Sequence, residues 1–259
     1  MAILDNSEEI WREALNIPTG SEPDVLILEG TWWREVATRN RLELMSEVHE
    51  LNFPEIYVGK WKHARIAYCC AYGAARAVEP AHIFAQLGTP LLIQIGTCGT
   101  LDIDTGTGVV VLPQTCAARD GISPTYGAGS EVKSDPHWLK KAETALRKMG
   151  IETQYANHLT WPSLFAQSDK ICTDWANEGL LSIDMETSAV IAVANYFGIS
   201  AVSMLTVWDS LPNGRTFLDP LSPAEKKSLN KSNEAVFAAA LSLAEEVASN
   251  REILSRPIT

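Results

Sequence analysis

The chain has 259 residues, with 21 basic and 32 acidic side chains and a formal net charge of −11. Such a charge repels the phosphate backbone of nucleic acids, so we expect no nucleic-acid partner. No apolar run reaches the roughly 18 residues that suggest a membrane span, so we expect no membrane partner either. The five cysteines form no CxxC pair, and the five histidines are scattered. We therefore expect reduced thiols, a cytoplasmic location and no metal or other cofactor.

Alternating apolar strands and helices predict an α/β fold. We expect one domain with a mixed central β-sheet flanked by helices over residues 24–259, after an N-terminal helical arm over 1–23. The predicted strands span 24–28, 56–58, 65–70, 91–95, 106–113, 182–185 and 201–207. The predicted helices span 7–16, 31–45, 77–87, 135–149, 187–197 and 222 to about 250, with Asp135 and Ser222 as N-caps.

Two segments after predicted strands suit an anion. The segment after Gly30 leads into a helix, whose free N–H groups favour an anion, and Arg34 lies about one turn further on. Alternatively, Arg34 is a solvated surface arginine. In the second segment, IGTCGTLD, the glycines permit close backbone approach and Thr97 offers a hydroxyl. Viewed alone, this segment is more typical of a plain turn. Neither segment contains the GxGxxG pattern of a dinucleotide-binding oxidoreductase.

Two further segments place carboxyl groups at the ends of apolar strands. Asp184 and Glu186 flank Met185, and a carboxylate entering a core must be paired, hydrogen-bonded or functional. Glu186 could accept hydrogen bonds from two ribose hydroxyls, or it could simply charge a helix N-terminus. Asp209 follows Trp208 at the end of another strand, where a poorly solvated carboxyl could act as a general acid. A turn or cap role for Asp209 is the commoner alternative.

Taken together and in this order, the four segments resemble the nucleoside phosphorylase/nucleosidase family, of the purine nucleoside phosphorylase and uridine phosphorylase type. The resemblance covers about residues 24–240. It implies cleavage of the bond between a nucleobase and its ribose, with phosphate or water taking the sugar. On this resemblance Gly30, Arg34 and Thr97 are expected to bind phosphate. Met185 and Glu186 are expected to bind the ribose.

The same resemblance assigns the base end of the site. Asp209 matches the acid that protonates a purine leaving group, which favours a purine nucleoside as substrate. Phe165, in the segment WPSLFAQSD, matches the aromatic residue that stacks on the base. Lys226 lies near the position of the arginine that supports the catalytic aspartate. The segment RDGISPTY, residues 119–126, also resembles a family segment and could narrow the pocket.

Several departures from the family pattern bear on the nucleophile. Gln94 stands where the family usually has an arginine, and Asn52 lies near the position of a second arginine, which the neighbouring subunit lends. Arg76 could compensate for these losses. Glu35 lies close to the glutamate that activates water in the hydrolytic branch. Because Arg34 is present, we favour phosphorolysis, with hydrolysis near Glu35 as the alternative.

A second alternative is a nucleoside-binding protein without catalysis, which the neutral Gln94 would suit. We expect nucleoside and inorganic phosphate as partners. We also expect a homo-oligomer, a dimer or a hexamer built from dimers, as the resemblance implies. Trp32, Trp33 and Trp61 could lie near the site or at a subunit interface, or they could pack in the core.

Overall fold

The computed structural model describes residues 7–255, with side chains to Arg251. Within this range ten strands form one sheet. The sheet is mixed, as the sequence predicted. The strands are β1 (Val25–Gly30), β2 (Ser46–Glu50), β3 (Ile56–Trp61), β4 (Ala64–Cys70), β5 (Leu91–Thr100), β6 (Val110–Ala118), β7 (Glu131–Lys133), β8 (Thr153–Thr160), β9 (Ser182–Asp184) and β10 (Ser200–Ser210).

Seven α-helices flank the sheet in the described residues. They are α1 (Glu8–Leu15), α2 (Arg34–Leu42), α3 (Ala74–Gln86), α4 (Pro136–Lys148), α5 (Asp169–Asn177), α6 (Thr187–Phe197) and α7 (Pro223–Ser255). One apolar layer contains residues of α4 and α7, among them Leu146 and Phe237. The other contains residues of α1, α3 and α6, among them Leu15, Phe84 and Val190. The sheet therefore lies between two helical layers and has both faces buried.

Strand β5 is the centre of the sheet. It pairs in parallel with β1 and β10 and in antiparallel with β9. Strand β6 pairs with both β10 and β8, and β8 pairs with β9. The strands β5, β10, β6, β8 and β9 therefore close into a ring, and β1, β4, β3 and β2 extend the sheet on one side. Because β1, β5 and β10 run in parallel, their carboxyl ends meet at one edge.

Several predicted boundaries were wrong. The helix predicted over 31–45 spans only Arg34–Leu42, because Trp33 has non-helical backbone angles and the chain turns before β2. It therefore does not begin directly after Gly30. The strand predicted over 106–113 is β6, which begins later because Gly108 has a positive φ of 91°. Strands β2, β7 and β8 and helix α5 were not predicted. The N-cap prediction for Asp135 is confirmed, since its carboxylate accepts the His137 and Trp138 N–H groups.

The predicted domain boundaries remain a prediction. Helix α1 contributes Leu15 to the same apolar layer as α3 and α6. The ends of the predicted arm and of the predicted domain, residues 1–6 and 256–259, lie outside the described residues. Over residues 7–255, no helix is long and apolar enough to cross a membrane. All five cysteines are free.

Candidate active site

A cleft lies where the carboxyl ends of β1, β5 and β10 meet. The strand register sets Gly30 of β1 beside Gly96 of β5, and Asp209 of β10 beside Gly99. Gly96 has a φ of +151°, and a Cβ atom there would lie 2.2 Å from the carbonyl oxygen of Gly30. The glycines of the segment IGTCGTLD thus allow the close backbone approach that the sequence suggested.

Five of the predicted site residues line this cleft together: Gly30, Thr97, Met185, Glu186 and Asp209. They come from β1, β5, the β9–α6 connection and β10, so the fold brings together segments far apart in the chain. The cleft also contains the side chains of Tyr72, Trp208 and Phe217, which the sequence analysis did not assign to the site.

Glu186 is held against the end of β1. Its carboxylate accepts the Gly73 N–H at 2.5 Å and the Met185 N–H at 3.2 Å. A Cβ atom at Gly30 would lie only 2.7 Å from Glu186 Oε2, so the glycine makes room for this carboxylate. Burial, and next the charge of Asp184, raise the pKa of Glu186 to about 8. A ligand that donates hydrogen bonds to the carboxylate would favour its ionised form.

Asp209 is also buried, and burial raises the pKa of its carboxyl to about 6. The charge of Arg215 opposes this rise in pKa. Arg215 bonds to Glu225 and Thr107, and it donates to the Trp208 carbonyl at 3.2 Å. Lys226, the predicted supporting cation, is exposed and does not line the cleft. Arg215, and not Lys226, is therefore the cation whose charge acts on the pKa of Asp209.

The two carboxyl groups act on a common neighbour. Burial raises the pKa of the Tyr72 phenol, and the charges of Glu186 and Asp209 raise it further. Tyr72 lies in the segment between β4 and α3, directly before Gly73. The Tyr72 phenol is therefore protonated at neutral pH and lines the same cleft as the two carboxyls.

Aromatic rings surround the mouth of the cleft. The Trp32 ring centroid lies 5.8 Å from Tyr72, 5.5 Å from Phe217 and 6.4 Å from Phe165. Phe165, the predicted base-stacking residue, is 81% exposed and does not line the cleft. The same loop contributes Leu164 and Gln167 instead. Of these rings, Trp32, Tyr72 and Phe217 line the cleft itself.

Three residues considered for the nucleophile end of the site do not line the cleft. Arg34 and Glu35 are exposed and border a separate surface depression with Thr38 and Cys70. Gln94 faces the core, where its Oε1 accepts the hydroxyls of Ser203 at 2.5 Å and Thr187 at 3.1 Å. The structure therefore leaves Arg34, Glu35 and Gln94 outside the cleft lining.

Two further residues considered for the phosphate site also lie elsewhere: Arg76, the possible compensation, and Asn52, near the position of the second family arginine. Arg76 donates to the Pro54 carbonyl at 2.9 Å and to Glu79 at 3.3 Å. Asn52 is exposed and donates to the Ala14 carbonyl. Neither side chain lines the cleft.

Comparison with known proteins decides the family. The model of the phosphorylase superfamily matches residues 35–247. The chain belongs to this superfamily. A purine nucleoside phosphorylase DeoD-type from Caldanaerobacter subterraneus subsp. tengcongensis is 30% identical over 179 residues, covering 63% of this chain and 76% of that protein. One from Alkaliphilus metalliredigens is 26% identical over 203 residues, covering 75% of this chain and 86% of that protein.

A solved structure shows the same fold. The uridine phosphorylase from Vibrio fischeri superposes with a TM-score of 0.72 at 20% sequence identity, covering 84% of this chain and 89% of that one. Together with the family match, these relatives make the chain an enzyme of the nucleoside phosphorylase family. The predicted family and the predicted single α/β fold with a mixed sheet are confirmed.

Proposed function

We propose that the enzyme cleaves the N-glycosidic bond of a purine nucleoside by phosphorolysis, giving the free base and ribose 1-phosphate. Inorganic phosphate is the co-substrate, and no further cofactor takes part. The observation that carries the proposal is that Glu186 and Asp209, two buried carboxyls with raised pKa values, line one cleft rimmed by aromatic rings.

In this reaction Glu186 accepts hydrogen bonds from the ribose hydroxyls and so orients C1′. Met185 packs against the sugar. Asp209, protonated below a pKa of about 6, donates to the departing base, whose negative charge would otherwise build up. The bond from C1′ to the base nitrogen breaks as an oxygen of phosphate approaches the opposite face of the sugar.

A second candidate is hydrolysis, in which water takes the place of phosphate. Two observations favour it. Gln94 is buried and faces the core, and Arg34 lies at a separate depression, so neither position supplies the cleft with an arginine for phosphate. The predicted water-activating residue, Glu35, is exposed and lies outside the cleft. Hydrolysis would therefore need a different activating group.

The purine assignment is tested by Asp209→Asn. Removing a general acid typically costs about 10²–10⁴ in rate, so we expect base release from inosine with phosphate to fall by at least about a hundredfold. Uridine cleavage, if present, should fall much less. Asp104→Asn, at an exposed aspartate, is the matched control. Near-normal inosine cleavage by Asp209→Asn would remove Asp209 from the reaction. Nucleoside binding without base release by the unaltered enzyme would instead favour the non-catalytic alternative.

A further inference from the structure

A buried histidine on β8 contacts the wall of the cleft, and the proposed reaction gives it no role. His158 has no exposed surface. Its Nδ1 atom lies 2.8 Å from the Ser182 hydroxyl, and its Nε2 atom lies 2.9 Å from Oδ1 of Asp184, which lines the cleft. A buried polar ring lowers the stability of the fold unless its neighbours compensate, so its place beside the site needs a physical reason.

The two contacts determine which ring nitrogen carries a proton. A lone pair on Nε2 would be repelled by a carboxylate oxygen 2.9 Å away, so Nε2 is protonated and its N–H faces Asp184. This N–H is not aligned with an acceptor among the described residues, so the contact is one of charge at short range. Nδ1 can accept the Ser182 hydroxyl. The ring of His158 is therefore held between two residues of β9.

Asp184 is surrounded by donors. Its Oδ1 atom accepts the Thr160 hydroxyl at 2.9 Å, and its Oδ2 atom accepts the Thr187 hydroxyl at 2.6 Å and the Thr187 N–H at 3.0 Å. A carboxyl group with donors on both oxygens is ionised, because a proton on either oxygen would lack an acceptor. His158 adds a further N–H group to those that face this buried charge.

The same contacts fix the position of Glu186. Thr187 is the first residue of α6, so its bonds to Asp184 tie the end of β9 to the start of the helix across Glu186. Glu186 has little room to shift, because its carboxylate accepts the Gly73 N–H and a Cβ atom at Gly30 would lie 2.7 Å from it. A displacement of Asp184 would therefore disturb how Glu186 is held in the cleft.

His158 also acts on the ionisation of Glu186. Burial raises the pKa of Glu186, and the charge of Asp184 raises it further. The positive edge of the His158 ring lies beside Asp184 and offsets part of that charge. Without this N–H, Glu186 would be harder to ionise as well as less well placed, and both changes weaken its bonds to ribose hydroxyls.

We propose that His158 is a positioning residue, which holds Asp184 through its Nε2 proton and thereby keeps Glu186 in place for the ribose hydroxyls. The inference rests on the proposed role of Glu186 in binding the ribose. His158 does not line the cleft, so it acts on the nucleoside only through Asp184 and Glu186.

The test uses two substitutions that retain different halves of the imidazole ring. Glutamine places an amide nitrogen close to the position of Nε2, so His158→Gln keeps a donor toward Asp184. Asparagine reaches only the position of Nδ1, so His158→Asn keeps the contact with Ser182 alone. We expect His158→Asn to raise the KM for inosine about tenfold, the typical worth of one hydrogen bond to a charged group, and to change kcat much less. His158→Gln should stay within about twofold of the unaltered enzyme in both constants.

His82→Asn is the matched control. His82 is also a buried histidine, and its ring packs on Phe197 at 4.8 Å and does not line the cleft. This variant should leave the KM for inosine unchanged. If His158→Asn does not fold, Thr160→Val decides, because it deletes the hydroxyl that donates to the same Asp184 oxygen. The expected rise in the KM for inosine is the same.

Three results would overturn the proposal. The first is a folded His158→Asn enzyme with an unchanged KM for inosine. The second is an equal rise in the asparagine and glutamine variants, which would show that the size of the ring matters and its Nε2 proton does not. The third is a fall in kcat without a change in KM. Hydrolysis would need the same orientation of the ribose, so this comparison is independent of the requirement for phosphate, which tests the proposed phosphorolysis separately.

Discussion

At the residue scale, the cleft holds carboxyl groups in positions that oppose their ionisation. Glu186 and Asp209 are both buried, and burial raises the pKa of each. A carboxyl with a raised pKa in the folded chain ionises more readily in the unfolded chain, so it destabilises the fold as pH rises through the interval between the two pKa values. The groups proposed for catalysis therefore lower the stability of the fold at neutral pH.

Asp209→Asn should reveal this loss of fold stability. The pKa of Asp209 rises from an ordinary 3.8 to about 6, so the destabilisation develops between pH 4 and pH 6 and is complete above pH 6. Asparagine does not ionise. The unfolding free energy of the variant minus that of the unaltered enzyme should therefore be roughly 1 kcal/mol larger at pH 8 than at pH 5. Denaturant unfolding at the two pH values measures this. An equal difference at both would show that Asp209 keeps an ordinary pKa.

The Asp209 pKa also sets a limb of the pH–rate profile. The protonated carboxyl is the proposed donor, and its population falls as pH rises above about 6. At saturating inosine, hydrogen bonds from the ribose favour the ionised form of Glu186, so we expect kcat to decrease above that pH and Asp209→Asn to lose this limb. Initial rates between pH 5 and 9 at constant ionic strength provide the profile. A limb that persists in the variant would assign it to another group.

Gly30→Ala tests the contact between β1 and the ribose-binding carboxylate. The added Cβ would lie 2.7 Å from Glu186 Oε2, so Glu186 must move. We expect the KM for the nucleoside to rise, with a loss of roughly 1–3 kcal/mol in unfolding free energy from overpacking. Gly106→Ala is the matched control, because a Cβ there would meet no atom within 4 Å. Equal kinetics in the two variants would contradict the role of Glu186.

The cleft residues that could be identified from the sequence lie in short segments at the ends of predicted strands. Met185 and Glu186 follow a strand directly, and Asp209 ends one, so their positions could be predicted from local pattern. Arg215 and Tyr72 lie in irregular segments with no such pattern. Lys226 was suggested by the resemblance to the family, whereas the contact of Arg215 with the Trp208 carbonyl depends on how the segment after β10 folds back.

At the element scale, the segment 119–126 is tied to the start of α6. Asp120 Oδ1 accepts the Ile122 and Ser123 N–H groups, both at 2.7 Å. Asp120 Oδ2 accepts the Ser123 hydroxyl at 2.6 Å and the Ser188 hydroxyl of α6 at 2.5 Å. Because Glu186 directly precedes α6, these hydrogen bonds help to hold Glu186 in its position in the cleft.

Asp120→Asn should loosen this support. The amide nitrogen would face donors and could replace only part of the hydrogen bonding, so we expect a loss of roughly 2–3 kcal/mol in unfolding free energy. Asp104→Asn, at an exposed position, should change it little. Denaturant unfolding of both variants checks this, and equal stability would show that the segment is not anchored through Asp120.

Elements with clear end signals could be predicted closely, and others could not. Helix α4 has Asp135 and Pro136 at its start, and α6 ends at Gly198 with a left-handed backbone. Strand β8 has a polar sequence, TQYANHLT, with no strong apolar alternation, so its pairing with β6 and β9 follows only from the whole sheet. The start of α2 was missed because it begins after the non-helical Trp33 without a side-chain N-cap hydrogen bond, so no capping residue marks it in the sequence.

At the scale of the whole molecule, apolar side chains remain exposed around the cleft. Trp33 is 54% exposed and Leu218 is 76% exposed, and Val36 on α2 is half exposed. A homo-oligomer, which the family resemblance implies, would cover part of this surface. Sedimentation velocity should give at least twice the 28.3 kDa of one chain. A fully active species with the mass of one chain would contradict the expected oligomer.

If phosphate is the nucleophile that receives the ribose, the products from inosine should depend on it. Incubation of the enzyme with inosine, with and without inorganic phosphate, can be followed by phosphorus NMR and base release. We expect base to appear only with phosphate, together with an equal amount of ribose 1-phosphate. Base and free ribose formed at the same rate without phosphate would contradict it and establish hydrolysis instead.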